Sequence, residues 1–144
     1  HLGAELRVLQ HLLGRHDAGL EDLLVVIHVV DEAVQRRHAL RQAGLSIEDI
    51  GLFELNEAFA VQVIAFLDHY GIADDDERVN PWGGAIAVGH PLASSGVRLM
   101  TQLAHHFEEN PQVRYGLVAM CIGIGMGGCV IWENPHHADY GKEN

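Results

Sequence analysis

The chain has 144 residues, enough for one domain with a buried core. Its 9 Lys and Arg against 20 Asp and Glu give a net charge of −11, which argues against nucleic acid or an anionic membrane surface as a partner. No apolar run reaches the roughly 18 residues of a membrane span. Two cysteines, Cys121 and Cys129, are too few for a disulfide framework, so we expect a cytoplasmic protein.

The first half of the chain predicts alternating strands and helices. Residues 1–22 show only a loose helical spacing of leucines, and residues 1–35 as a whole receive no functional assignment. Apolar runs, N-cap residues and terminating glycines predict the elements that follow. They are a strand over 23–30, a helix over 31–43, a strand over 51–55, and a helix from Asn56 to about Tyr70.

The stretch from Val79 to Gly96 contains four glycines and two prolines, and therefore predicts a loop rather than a helix or strand. His90 lies in it between Gly89 and Pro91. A histidine fixed in this way is suited to act as a catalytic base. The alternative is a tight turn whose histidine only hydrogen-bonds a carbonyl.

The second half predicts a helix and a β-hairpin before a polar tail. Ser94 or Ser95 can cap a helix that ends near Phe107. Two apolar strands over 115–121 and 129–132 are joined by a glycine-rich connection, and residues 134–144 form the tail. The order of elements predicts an α/β fold.

Two other motifs are weaker than they look. Gly123-x-Gly125-x-x-Gly128 matches the letters of a dinucleotide-binding fingerprint, but an apolar strand follows it where a helix is required. The pairs His105-His106 and His136-His137 suggest metal binding. Because neighbouring side chains on a helix diverge, we expect surface histidines and no metal.

Three reactive side chains fall at the ends of predicted elements: Asn56, His90 and Cys121. Ligands collect at strand ends in α/β sheets. A thiol and an imidazole can divide proton transfer between them, and the Gly123 N–H can donate to an oxyanion. The alternatives are Asn56 as a simple helix cap and Cys121 as an inert buried thiol.

Three blocks closely resemble the C-terminal signature blocks of thiolases, in the same order and spacing. They are Asn56-Glu-Ala-Phe59, Gly83-Gly-Ala-Ile-Ala-Val-Gly-His-Pro91 followed by Ser95-Gly-Val-Arg98, and Cys121-Ile-Gly-Ile-Gly-Met-Gly127. The resemblance covers residues 36–133 and implies the C-terminal half of the thiolase fold, a mixed sheet with covering helices. Ala93 departs from the family, which usually has glycine there.

The resemblance also implies roles for the site residues. His90 would activate the acylated nucleophile and, with a water held by Asn56, bind a thioester oxygen. Cys121 would be the acid and base at the α-carbon of acetyl-CoA, and the Gly123 N–H would complete a second oxyanion hole. Coenzyme A enters as a substrate, and no cofactor is expected.

The implied reaction is thiolysis of a 3-oxoacyl-CoA to acetyl-CoA and a shortened acyl-CoA, or the reverse condensation. The segment with the nucleophilic cysteine is missing, so we expect no activity from this chain alone, a partner that supplies that half, and a homo-oligomer. Alternatives are an inactive fragment, a non-catalytic module that binds acyl-CoA or lipid, and a decarboxylating condensing enzyme. Asn56 and Cys121 count against the last.

Overall fold

The computed structural model describes residues 39–123 and 126–142. Its elements are a 3-10 turn at Ile47–Asp49, β1 (Ile50–Leu55), α1 (Ala60–Tyr70), α2 (Ala85–Val88), α3 (Ser95–Glu109), β2 (Tyr115–Gly123) and β3 (Met126–Glu133). Residues 39–43 are also helical, and Gly44 follows with a φ of 68°, as predicted for the end of that helix. The predicted strand over 23–30 and the helix start at Asp31 lie outside the described residues.

The three described strands form one mixed sheet in the order β1-β2-β3. β1 runs parallel to β2, and β2 pairs antiparallel with β3 as the predicted hairpin. The strands extend further than predicted, because Gly127 and Gly128 belong to β3 and pair with Cys121 and Met120. Since Gly123 and Gly128 lie on two paired strands, this segment does not have the strand-turn-helix structure of a dinucleotide-binding fingerprint.

Both faces of the sheet are covered by helices, which confirms the predicted α/β class. Side chains of β1 and β2 alternate between the two faces. On one face the sheet packs against α1 and residues 39–43, and the buried side chains there include Ile50, Phe53, Phe66, Leu117 and Ile131. On the other it packs against α3, through Leu52, Leu99, Leu103, Phe107 and Val118.

Helix α1 begins later than predicted. It starts at Ala60, so the prediction that Asn56 is its N-cap is wrong, although Gly71 ends it in the left-handed conformation as expected. The reason is Glu57, whose φ of 57° cannot belong to a right-handed helix. Phe59, which precedes the helix, is 65% exposed.

The glycine-rich stretch also differs from its prediction as a pure loop. It contains the single-turn helix α2, with Gly84 before it and Gly89 after it. Its start is held beside β1: Phe53 donates its N–H to the Arg78 carbonyl, and Asn80 donates its N–H to the Phe53 carbonyl, both at 2.8 Å. Residues 78–80 therefore cover part of the outer edge of β1.

The polar tail begins with a buried residue. The Asn134 side chain is fully buried, and its Nδ2 donates to the carbonyls of Phe107, Asn110 and Val113 at 3.3, 3.2 and 2.8 Å. It thereby joins the end of β3 to the turn after α3. None of the helices among residues 39–123 and 126–142 is long and apolar enough to cross a membrane.

A buried polar pair lies on the α3 face. His106 Nε2 lies 3.3 Å from Glu54 Oε1, and the two side chains are 3% and 0% exposed. Burial raises the pKa of Glu54 to about 7, although the positive charge of Arg98 opposes this and the negative charge of Glu57 adds to it. Burial also lowers the pKa of His106. The neighbouring His105 instead faces solvent and contacts Glu108, so the two histidines diverge as expected. The expectation that both lie at the surface is wrong for His106, because it is on the side of α3 that packs on the sheet.

Gly116→Ala should destabilise the fold, because a Cβ at this buried position would overlap with the side chains of Leu103 and Phe107. Overpacking of this kind costs about 1 to 3 kcal/mol. Gly128→Ala is the matched control, since its Cβ would make an ordinary 3.5 Å contact with Ile122. Urea titration measures both free energies of unfolding, and equal values for the two variants would contradict this packing of α3 on β2.

Glu54→Gln should remove a pH dependence of stability. The unfolded chain releases the Glu54 proton near pH 4.5, whereas the folded chain keeps it to about pH 7. The contribution of protonated Glu54 to the free energy of unfolding is therefore complete below pH 4.5. It is lost as the pH rises to about 7, which lowers the free energy of unfolding by up to about 3 kcal/mol.

The measurement is the free energy of unfolding at about pH 5 and about pH 7.5. We expect the free energy of unfolding to fall less between the two pH values in Glu54→Gln than in the wild type. The control Glu48→Gln changes an exposed carboxylate and should behave like the wild type. His106 acts in the opposite direction, because its lowered pKa removes stability as the pH falls below 6.5. Parallel curves for all three proteins would contradict the burial of a protonated Glu54.

Candidate active site

Asn56 and Cys121 line the same pocket, although 65 positions separate them in the chain. The pocket is small and partly open to solvent. Its lining residues come from the end of β1, the start of α1 and the end of β2: Leu55, Asn56, Glu57, Ala58, Gln62, Val63, Ala119 and Cys121. The structure thus brings together two of the side chains that the sequence placed at strand ends.

The backbone of Asn56 joins three segments at this pocket. Its N–H donates to the Ala119 carbonyl in β2, and its carbonyl accepts from the Ala85 N–H at the start of α2, each at 3.0 Å. Gly89 donates its N–H to the Ala85 carbonyl at 2.9 Å. The segment that carries His90 is therefore anchored to Asn56 through α2.

The side chain of Asn56 is 3% exposed, and its Oδ1 and Nδ2 make no hydrogen bond to any described residue. A buried amide without a partner is costly, so such groups are usually satisfied by an ordered water or a ligand. Because the amide does not cap α1, both its donor and its acceptor remain available. This residue is suited to hold a water at the pocket.

His90 is partly exposed and is fixed by Ser95, the first residue of α3. The distance from His90 Nδ1 to Ser95 Oγ is 2.7 Å, and Ser95 Oγ donates to the Pro91 carbonyl at 3.2 Å. The Ser95 hydroxyl has a single proton, which it donates to the Pro91 carbonyl. Its oxygen therefore accepts a hydrogen bond from Nδ1–H of His90. Nε2 of His90 then carries the lone pair, which is the form that a general base requires.

The pocket does not gather every predicted site residue. His90 and Gly123 are not among the residues that line it. Gly123 has a φ of 103°, which disfavours any other residue, and it pairs with Met126 across an irregularity in the hairpin. Cys121 is half-buried and is not in a disulfide. Roles for His90 and Gly123 in the same site stay predictions.

Ser95 is a candidate site residue to which the sequence analysis gave no role beyond a possible helix cap, although it lies in one of the blocks that resemble thiolases. No local pattern separates a cap from a hydrogen bond to a histidine five positions earlier. In the structure Ser94 occupies the N-cap position, and Ser95 is fully buried against His90. The signals in the sequence were its place in that block and its spacing from His90.

Within residues 39–123 and 126–142, no group of three or more His, Cys, Asp or Glu side chains is arranged to hold a metal ion. The thiol of Cys121, the imidazole of His90 and the amide of Asn56 are groups that can transfer protons or form hydrogen bonds.

Three relatives of this chain are all named as thiolases. The chain is 51% identical over 98 residues to a 3-ketoacyl-CoA thiolase of Pseudoalteromonas translucida, a match that covers 67% of this chain and 25% of that protein. It is 50% identical over 94 residues to a beta-ketoadipyl-CoA thiolase of Acinetobacter baylyi, with 65% and 23% covered. A peroxisomal 3-ketoacyl-CoA thiolase of Mus musculus is 46% identical over 97 residues, with 67% and 22% covered.

The chain thus spans about a quarter of the length of the curated relatives that it matches. The model of the thiolase C-terminal domain matches residues 8–134, which extends beyond the predicted range of 36–133 into the segment without an assignment. With most of the sequence matched, the chain belongs to the thiolase family, as its C-terminal domain.

Proposed function

We propose that this chain supplies the C-terminal part of an active site for thiolysis of 3-oxoacyl-CoA by coenzyme A, or for the reverse condensation. One observation carries the proposal. Cys121 and Asn56, whose amide has no hydrogen-bond partner in the part of the chain that the structure describes, line one pocket. The backbone junction that anchors the His90 segment lies next to it. A thiol beside an available amide is suited to move a proton near a polarised carbonyl.

The proposed roles follow the chemistry of each group. A nucleophilic thiolate attacks the 3-oxo carbon, the bond between C2 and C3 breaks, and the acetyl-CoA carbanion takes a proton from Cys121. The acyl group stays on the nucleophile as a thioester until the thiol of coenzyme A attacks it, which releases the shortened acyl-CoA and the nucleophilic thiolate. In that step the Cys121 thiolate takes the proton of the coenzyme A thiol. His90, through Nε2, serves as the base that activates the nucleophile, and with a water on Asn56 it binds the thioester oxygen. In condensation Cys121 removes the same proton from acetyl-CoA.

The nucleophile comes from outside this sequence in the proposed mechanism. Of the two cysteines, Cys129 is 2% exposed within β3, and Cys121 is assigned to proton transfer. Covalent acyl transfer needs both groups. We therefore propose that an N-terminal thiolase half, in the same polypeptide or in a second chain, completes the site, and that this chain alone is inactive.

The described surface supports such an association and a homo-oligomer. The surface around α1, α2 and the start of α3 exposes large apolar side chains that an isolated domain rarely exposes together. They are Phe59, Val61, Ile64, Ile86, Val88, Leu92 and Val97.

The proposed substrates are CoA thioesters of 3-oxo acids. The relatives named for 3-ketoacyl-CoA and for beta-ketoadipyl-CoA are almost equally similar to this chain, so identity alone does not favour one acyl group. We propose a cytoplasmic location, which agrees with two cysteines that form no disulfide.

A chimera tests the assignment of Cys121. The matched 98 residues of the Pseudoalteromonas translucida thiolase are replaced by the corresponding stretch of this chain. We expect the chimera to cleave acetoacetyl-CoA with coenzyme A, and Cys121→Ala to lower kcat by at least about 100-fold, because it removes the proton donor.

Cys129→Ala is the matched control and should change kcat by no more than about threefold, since Cys129 is placed in the core and not in the pocket. Unchanged turnover in a folded Cys121→Ala chimera would favour a non-catalytic module that binds acyl-CoA. An inactive parent chimera would count against the proposed function itself.

Ser95→Ala should change the proton position on His90, because it removes the acceptor of Nδ1–H. We expect the ¹⁵N chemical shifts of His90 to move toward a mixture of the two tautomers, and kcat of the chimera to fall by about 10-fold. Ser94→Ala is the matched control, since Ser94 Oγ contacts only the Pro91 carbonyl, at 3.3 Å, among its described hydrogen bonds. Equal ¹⁵N shifts in the two variants would contradict the assigned tautomer.

A further inference from the structure

Two residues other than glycine have a left-handed backbone within residues 39–123 and 126–142, and they are hydrogen-bonded to each other. Glu57 has a φ of 57° and Asn80 a φ of 47°. Asn80 Nδ2 donates to Glu57 Oε1 at 2.6 Å across 23 positions of sequence. Unfavourable backbone conformations persist only where surrounding contacts fix them, and they concentrate at functional sites.

Asn80 can offer Glu57 only a donor. Its Oδ1 already accepts the Leu55 N–H at 2.6 Å, so its Nδ2 must point toward Glu57. The group that faces Asn80 therefore has to be an acceptor. This hydrogen bond ties Glu57 to the end of β1.

The second oxygen of Glu57 meets another obligatory donor. Oε2 accepts the N–H of Ile86, in α2, at 3.1 Å. A carboxylate satisfies both donors, whereas a glutamine offers one acceptor oxygen and presents an NH₂ group to the other donor. Gly84 makes room for this arrangement, since a Cβ there would overlap with the Glu57 side chain.

Two consecutive residues after β1 thus hold two consecutive residues of α2. The Asn56 carbonyl accepts from Ala85, and the Glu57 carboxylate accepts from Ile86. The helix ends at Val88, and His90 lies two residues further on. The position of His90 relative to Asn56 depends on these two bonds at one end and on Ser95 at the other.

We propose that Glu57 is a positioning residue, which sets the segment of His90 against Asn56 by accepting hydrogen bonds from Asn80 and Ile86. This inference rests on the proposed role of His90 in thiolysis. Glu57 acts through α2 and takes no part in proton transfer.

Glu57→Gln tests the inference with two measurements. In the 144-residue chain, amide hydrogen exchange at Ala85 and Ile86 should become at least about 10-fold faster, while exchange in β2 and β3 stays unchanged. In the chimera, kcat should fall by at least about 10-fold relative to the parent, while KM changes by no more than about twofold. The reason is that the groups that bind the substrate are unchanged, whereas His90 is displaced.

Gly84→Ala provides a second variant that leaves Glu57 in the sequence but displaces its carboxylate, and it should reproduce both effects. Glu77→Gln, at an exposed carboxylate in the loop that precedes Asn80, should reproduce neither. If Glu57→Gln does not fold, the Gly84→Ala result decides alone.

Unchanged exchange at Ala85 and Ile86 in the folded variants would overturn the inference, as would faster exchange with unchanged kcat. The variant His90→Asn separates this failure from a failure of the proposed function. If His90→Asn keeps full turnover, the proposed function is wrong. If it abolishes turnover while Glu57→Gln does not reduce kcat, only the role of Glu57 is wrong.

Discussion

The backbone of Asn56 is the constraint on which the rest of the site depends. Its N–H is bonded to β2 and its carbonyl to α2, so both polar groups are used between segments rather than within a helix. A residue held in this way cannot begin a regular helix, and the chain turns at Glu57 before α1 starts at Ala60. The side-chain amide consequently has no hydrogen-bond partner among the described residues at the pocket.

Stability and function are concentrated in different parts of the fold. The packing of α3 on the sheet, through Leu99, Leu103 and Phe107, involves ordinary core contacts without backbone strain. The two left-handed residues, Glu57 and Asn80, each cost about 1 kcal/mol or more and lie beside the site. Three hydrogen bonds hold these two residues in their unfavourable conformations and fix the orientation of α2. The free energy of these bonds is thus used to orient α2 rather than to add stability.

The sequence predicted what local signals determine and missed what distant contacts determine. β1, the glycine stop at Gly71 and the hairpin follow from apolar runs and glycine. The predicted start of α1 was wrong because an asparagine before an apolar helix usually acts as its N-cap. Here tertiary hydrogen bonds occupy the backbone of Asn56 instead. The meeting of Asn56 with Cys121 follows from strand ends at one edge of the sheet, whereas the hydrogen bond between His90 and Ser95 has no distinctive local pattern.

The pocket has the sheet as its floor and exposed apolar side chains beside it. Leu55 and Ala119 belong both to its lining and to the buried core, so its floor is fixed by the sheet. On α1, next to the lining residues Gln62 and Val63, the apolar side chains of Val61 and Ile64 are exposed. On the proposed function, the segment that covers this apolar surface is also the one that brings the nucleophile. Assembly and catalysis then depend on the same contact, because the surface buried on association adjoins the pocket where acyl transfer occurs.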